Sequence, residues 1–217
     1  MHKYSAKAVI FDLDGTIADT LDDLKNSVNY AIGLLGIAPF DSNTICSRIG
    51  NGAANLIRKS LPPETDEETV KKTLEEFYGH YMSHALDGTK SFPGVLELLK
   101  TLKERGYRLA VVSNKPDAGT KAIVSALFGD IFDYVSGEKS GIPRKPEPDM
   151  VRYALEALGT EKAVYVGDSE VDVKTAANSG LPCVCVTWGF RSAEQLKEAG
   201  GEVFISDPAE LLEMLCK

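Results

Sequence analysis

The sequence predicts an α/β protein: a doubly wound parallel sheet with a small all-helical block inserted after its first strand. Three observations carry that prediction. Short apolar runs recur without polar alternation, as in strands buried on both faces. Helical stretches fall between them, giving β-α-β punctuation. One long stretch, from about residue 20 to residue 87, shows helical periodicity and no convincing buried strand.

In chain order, Ala8-Val9-Ile10-Phe11 is the first apolar run. Leu21, Leu24, Val28, Ile32 and Leu35 then repeat at helical spacing, with Asp19 or Thr20 as the capping residue and Asp22 and Asp23 in the first turn. Pro62-Pro63 breaks the helical block, and Val70, Leu74, Phe77, Tyr78 and Tyr81 mark a second helical face. The sheet resumes near Ser91. Residues 93–105 put Val95, Leu96, Leu98, Leu99 and Leu102 on one helix face, with Gly106 at the C-terminal cap position. Leu109-Ala110-Val111-Val112 is the second run, and a helix over 147–158 ends at Gly159. Ala163-Val164-Tyr165-Val166, Cys183-Val184-Cys185-Val186 and the shorter Val203-Phe204-Ile205 complete the strands. The expected division is a core of residues 1–18 plus 89–217 and a helical domain of 19–88. No internal repeat or low-complexity tract interrupts it.

Composition narrows the function. Of 217 residues, 43% are apolar and 26% charged, enough to build a core and exclude wholesale disorder. Lysine and arginine total 24 against 32 acids, a net charge of −8, so no nucleic-acid partner and no anionic-membrane partner is expected. No apolar run approaches the roughly 18 residues of a membrane span. Residues 1–7 lack the apolar stretch and cleavage site of a signal peptide. Cys46, Cys183, Cys185 and Cys216 form no C-x-x-C pair, which points to a reduced, cytoplasmic protein. Cys183 and Cys185 are expected to point to opposite faces of their strand as inert thiols, and His80 and His84 to lie on an exposed helix face.

Ligands of an open parallel sheet sit at the carboxyl ends of its strands, so the residues after each run bear the chemistry. The first run leads into Asp12-Leu13-Asp14-Gly15-Thr16, the second into Ser113-Asn114-Lys115, and the third into Gly167-Asp168-Ser169 with Asp172 close behind. Arg144-Lys145-Pro146-Glu147-Pro148 precedes the helix before the third run. Each has a plain alternative: a turn for Asp12 and Asp14, a backbone-bonding hydroxyl for Ser113, solvated lysines for Lys145 and Lys115. The carboxylates argue otherwise together. Two of them about 4 Å apart at an effective dielectric near 20 repel by roughly 4 kcal/mol, so a fold that gathers three needs a compensating cation. Oxygen ligands alone suit a hard ion such as Mg²⁺, shared with a phosphate. Ser113 and the Asn114 N–H are candidate phosphate donors, and the prolines stiffen the loop that aims Lys145.

Asp12-x-Asp14-Gly15-Thr16, then Ser113, then Lys145, then Gly167-Asp168 with Asp172, resembles the four ordered motifs of the haloacid dehalogenase superfamily over residues 8–211. The resemblance implies a Rossmann-like core with a helical cap. Val112-Ser113-Asn114-Lys115-Pro116, Arg144 to Pro148 and Val186-Thr187-Trp188-Gly189-Phe190 look most like phosphoglycolate phosphatases and their pyrophosphatase relatives. Asp14 is absent from true dehalogenases, and phosphonoacetaldehyde hydrolases carry a small residue there. β-Phosphoglucomutases typically carry an acid where this chain has Gly167 and Val where it has Thr16.

The resemblance further implies roles. Asp12 would be the nucleophile that forms an aspartyl-phosphate, and Asp14 the acid and then the base. Mg²⁺ would be held by Asp12, Asp168 and the backbone carbonyl of Asp14, with Asp172 acting through water or, like Ser169, from behind the ligands. Lys145, Ser113 and the backbone N–H groups of Leu13, Gly15, Thr16 and Asn114 would hold the phosphoryl group. Gly15 permits the tight turn there. Arg48, Gly50, Asn51 and Lys115 are candidate specificity residues; for Lys115 the solvated reading is favoured. The expected substrate is a small phosphorylated metabolite, phosphoglycolate first. A pyrophosphatase, nucleotidase, sugar-phosphate phosphatase or phosphomutase on the same scaffold, and a phospho-signalling receiver, are the alternatives. A monomer or homodimer is expected.

Overall fold

The computed structural model describes residues 4–216; Met1 to Lys3, Lys217 and the Cys216 side chain lie outside the described residues. Six parallel strands form the main sheet: β1 (Ala8–Phe11), β2 (Arg108–Pro116), β3 (Tyr134–Glu138), β4 (Ala163–Gly167), β5 (Cys183–Val186) and β6 (Phe204–Ile205), in the order β3-β2-β1-β4-β5-β6. That is the doubly wound Rossmann order, whose switch point lies beside the first strand. Phe11 is level with Val111 of β2 and Val166 of β4. The residues after Phe11 and Val166 therefore emerge together at the carboxyl edge, beside β2, which runs on to Pro116.

Strand alternation sorts the core into two layers. Val9, Phe11, Leu109, Val111, Val164 and Val166 face one side, packed on Val95, Leu98 and Leu99 of α5 (Val95–Glu104), Ile123 and Phe128 of α6 (Asp117–Phe128) and Leu211 of α10 (Ala209–Met214). Ala8, Ile10, Ala110, Val112 and Tyr165 face the other, covered by Met150, Val151 and Ala154 of α7 (Asp149–Leu158) and by Ala176 of α8 (Glu170–Asn178). Strands covered on both sides carry continuous apolar runs. β3, at the sheet edge and only half-buried, carries Tyr134-Val135-Ser136-Gly137-Glu138 and so shows no such run.

Cys183 and Cys185 are not on opposite faces. Residues two apart on a strand share a face, and the two thiols hydrogen-bond each other. That bond and burial push the Cys183 thiol far up. Val173 of α8 and Leu196 of α9 (Ala193–Glu198) cover the pair.

The chain divides into two compact units: one runs up to Asp19 and from Ser91 onward, the other spans 20–90. The second consists of α1 (Leu21–Gly33), α2 (Ser42–Cys46), α3 (Gly52–Ser60) and α4 (Glu67–His84). Leu24, Val28, Ile32, Ile45, Ile57, Phe77 and Tyr81 form its buried interior. Asp41 and Asp66 cap α2 and α4 by accepting from Thr44 N and Thr69 N. Thr20 stands at the start of α1 without a side-chain capping bond. His80 bonds Ser27 and stacks against Tyr30 and His84, each 4.3 Å between ring centres, so it is a packed residue rather than one on a bare face.

The nearby Asp23 has a different task. Its buried carboxylate accepts from Gly88 N, Thr89 N and the Thr89 hydroxyl, tying the first turn of α1 to the far end of the same unit. Removing it strands two buried donors on Thr89 and the Gly88 N–H. Asp23→Ala is therefore expected to cost about 3 kcal/mol, read as a lowered denaturant midpoint; an unchanged midpoint contradicts this anchoring role.

Candidate active site

Four carboxylates and two lysines meet beyond the carboxyl edge of β1, β2 and β4. Oxygens of Asp12, Asp168 and Asp172 lie within 4.8 Å of one another. Asp12 directly follows β1, and its Oδ1 accepts from Leu13 N at 2.7 Å and pairs with Lys145 Nζ at 2.8 Å. Asp168 directly follows β4. Its Oδ1 accepts from the Thr16 hydroxyl at 2.9 Å and its Oδ2 from Phe190 N at 2.8 Å. Asp172 sits in the first turn of α8 and closes a capping box with Ser169, whose N–H and hydroxyl donate to Oδ2 at 3.0 and 2.6 Å.

Glycines make this convergence possible. A Cβ on Gly15 would overlap the Asp168 carboxylate, and one on Gly189 would overlap Asp168 and the Gly15 carbonyl. A Cβ on Gly167 would overlap Asp172, so the space an acidic side chain at 167 would need is already filled by the acid of α8. The Trp188 indole N–H donates to the Thr16 carbonyl at 3.0 Å and pins the Asp12–Thr16 loop.

Lys145 is almost wholly buried, and its three ammonium protons have three acceptors: Asp12 Oδ1 at 2.8 Å, Asp172 Oδ1 at 2.9 Å and the Tyr165 hydroxyl at 3.0 Å. Burial works against the ammonium, but the charges of Asp12 and Asp172 outweigh it and hold Lys145 well above its ordinary value. An incoming phosphoryl oxygen must therefore share one of these protons. Asn114 braces the loop: its amide donates to the Lys145 carbonyl and accepts from Lys145 N, both at 2.9 Å. The Ser113 hydroxyl accepts from Lys115 N at 3.2 Å and keeps its own proton to donate.

Two features depart from expectation. Lys115 is not a solvated lysine. Its side chain is only 4% exposed, and the ammonium straddles Asp14, 2.8 Å from Oδ1 and 3.0 Å from Oδ2. β2 continues past its apolar run to Pro116 and so carries Lys115 inward. Tyr165, which reads as core filler, has its hydroxyl in the site: it accepts from Lys145 and donates to Asp172 at 3.1 Å. A buried tyrosine needs a partner for its hydroxyl, and that rule was the available signal in the sequence.

The candidate specificity residues of the helical unit have local partners. Arg48 lies over the Phe40 ring, 4.1 Å from its centre, and donates to Ser60 Oγ at 3.2 Å. Gly50 and Gly52 take φ of 118° and 77°, which only glycine adopts easily, on either side of Asn51 at the start of α3.

The haloacid dehalogenase-like hydrolase family profile matches residues 9–186. This chain belongs to that family. It is 35% identical to the phosphoglycolate phosphatase of Rhodospirillum rubrum over 216 residues, covering 94% of this chain and 89% of the relative. It is 36% identical to that of Cereibacter sphaeroides over 190 residues, covering 85% and 87%. A solved protein of Lactobacillus delbrueckii subsp. bulgaricus superposes with a TM-score of 0.92 at 37% identity, covering 96% of this chain and 98% of the other. CbbY of Rhodobacter sphaeroides, solved with phosphate, gives 0.79 at 25%, covering 95% and 96%. The haloacid dehalogenase-like fold, with phosphatases as full-length relatives, makes this protein a phosphatase of the phosphoglycolate phosphatase-like branch. Among the described residues, no helix is long and apolar enough to cross a membrane.

The crowded acids have a measurable signature. Burial, then the charge of Asp172, pushes the Asp12 carboxyl up to about 7, with Lys145 pulling the other way. Burial and the charges of Asp172 and Asp12 also raise Asp168. An unfolded aspartate titrates near 3.9, so the folded protein holds the Asp12 proton more tightly. The stability it contributes is complete below roughly pH 4 and is lost as pH rises through about 7. A divalent cation would take that proton's place. In chelator, the melting temperature should fall across this range, while the increment added by magnesium grows. A pH-independent magnesium increment contradicts the assignment.

Proposed function

We propose that this protein hydrolyses phosphomonoesters with a small anionic leaving group, 2-phosphoglycolate first, through an aspartyl-phosphate and with Mg²⁺. The observation that carries the reading is the placement of Asp12. Both hydrogen bonds to it fall on Oδ1, which leaves Oδ2 as the attacking oxygen. Asp12 attacks phosphorus as the ester P–O bond breaks, and Asp14 gives its proton to the departing oxygen. Water then attacks the aspartyl-phosphate, losing a proton to Asp14, and inorganic phosphate leaves. Lys145, the Ser113 hydroxyl and the Asn114 N–H orient the phosphoryl oxygens. The N–H groups of Leu13, Gly15 and Thr16, expected to join them, are bonded instead to Asp12 Oδ1, the Ala18 carbonyl and the Leu13 carbonyl, and would have to leave those partners to reach the substrate.

The donor set fits a hard cation, since the clustered Asp12, Asp168 and Asp172 side chains offer only oxygen. Asp12, Asp168 and the Asp14 carbonyl would hold Mg²⁺, with Asp172 and Ser169 steadying the group from behind. Bound there, the ion would supply neutralising charge for the phosphoryl oxygens. Residues 19–88 are the proposed cap, and Arg48, Gly50 and Asn51 its candidate selectors of substrate.

The space taken up at Gly167 favours a phosphatase over the mutase arrangement, and the names of the full-length relatives favour phosphoglycolate. A phosphate-release assay over phosphoglycolate, pyrophosphate, nucleoside monophosphates and sugar phosphates tests the choice. Phosphoglycolate should give the highest kcat/KM, and Asp12→Asn should lower kcat by at least about 1,000-fold with the fold retained. A different best substrate reassigns the specificity. A stable phosphoprotein without turnover supports the receiver reading, and near-normal turnover of the variant rejects Asp12 as nucleophile.

A further inference from the structure

The Lys115–Asp14 pair poses a problem for the reaction just proposed, on which this inference rests. Asp14 must present an oxygen to the ester oxygen, yet both its oxygens are engaged by one ammonium, at 2.8 and 3.0 Å. Once Asp14 takes up the proton it must deliver and turns to the leaving group, that hold is broken. Lys115 would then be a buried ammonium that has given up this carboxylate, which is costly unless another anion takes its place.

Nor can the lysine simply swing into solvent. Its side chain is 4% exposed. Its stem crosses the first turn of α6 over Gly119, where a Cβ would stand 3.8 Å from both Cγ and Cδ. The Thr120 hydroxyl donates to its carbonyl at 3.1 Å, and that carbonyl occupies the space a side chain at Gly137 would need. Backbone and stem are both fixed, so the ammonium remains beside the place where the leaving group departs.

We propose that Lys115 determines specificity by exchange: it holds Asp14 in the resting protein and passes to a carboxylate on the leaving group when substrate binds. The carboxylate carbon of phosphoglycolate lies two bonds from the ester oxygen. An acid placed to protonate that oxygen therefore brings its lysine within reach of the carboxylate. A leaving group without charge offers the ammonium nothing and leaves Asp14 restrained. The selected class is thus small phosphomonoesters with an anion close to the ester oxygen.

The test compares kcat/KM for 2-phosphoglycolate with that for 2-hydroxyethyl phosphate, an ester of similar size without the carboxylate, in wild type, Lys115→Met and Lys115→Arg. Wild type should prefer the carboxylate. Lys115→Met should shrink that preference on the order of 100-fold, the scale of one charge-assisted hydrogen bond, and Lys115→Arg should keep most of it. Equal losses on both esters in Lys115→Met, or no wild-type preference for any anionic leaving group, overturns the proposal. If wild type prefers another anionic ester and Lys115→Met erases that preference, the lysine's role stands and the phosphoglycolate reading falls. A crystal structure of Asp12→Asn with 2-phosphoglycolate does not depend on the Lys115 variants folding. Lys115 Nζ should lie within about 3.2 Å of the substrate carboxylate, with Asp14 released; Lys115 still on Asp14 overturns the exchange.

Discussion

Like charges forced together at the edge of a parallel sheet set the terms for the rest of the core. Oxygens of Asp12, Asp168 and Asp172 fall within 4.8 Å of one another, and Asp14 follows two residues after Asp12. Buried carboxylates at that spacing repel strongly. The protein meets the cost locally. Lys145 bridges Asp12 and Asp172, Lys115 covers Asp14, Thr16 and Phe190 donate to the two oxygens of Asp168, and Ser169 donates to the second oxygen of Asp172. Two lysines against four acids still leave a surplus of two negative charges among these groups. Burial first, and then the neighbouring negative charges, raise the Asp12 and Asp168 carboxyls. A divalent cation would cancel the surplus.

The two lysines are embedded differently, and the difference has consequences. Lys145 serves two carboxylates and a tyrosine from a loop clamped by Asn114, so moving it would disturb the whole cluster. Lys115 holds the Asp14 carboxylate through both its oxygens. One ammonium is thus part of the frame, while the other can change partners without loosening the acids that would hold a metal. The Tyr165 hydroxyl belongs to the frame as well. It reaches the site from the α7–α8 face of the sheet, and so couples packing in that layer to the position of Lys145.

Much of the fold is legible in the sequence because burial on both faces writes continuous apolar runs. β1, β2, β4 and β5 are covered on both sides and stand out. β3 escapes notice because an edge strand need not be apolar throughout. At the site, the acids and Ser113 are visible as polar residues placed directly after apolar runs. Tyr165 and Lys115 are hidden for opposite reasons. A tyrosine in an apolar run looks like filler, and a lysine looks solvated. Which way each points depends on strand length and register, and no local pattern of residues records either.

On the reading proposed above, a divalent ion would sit among these acids and hold them together. Crystals grown with Mn²⁺ and measured at a wavelength where manganese scatters anomalously test it directly. One strong anomalous peak in contact with both Asp12 and Asp168 is expected, with Lys145 still on Asp172. Fully occupied crystals without that peak, or acids turned away from one another in the presence of the ion, would contradict it.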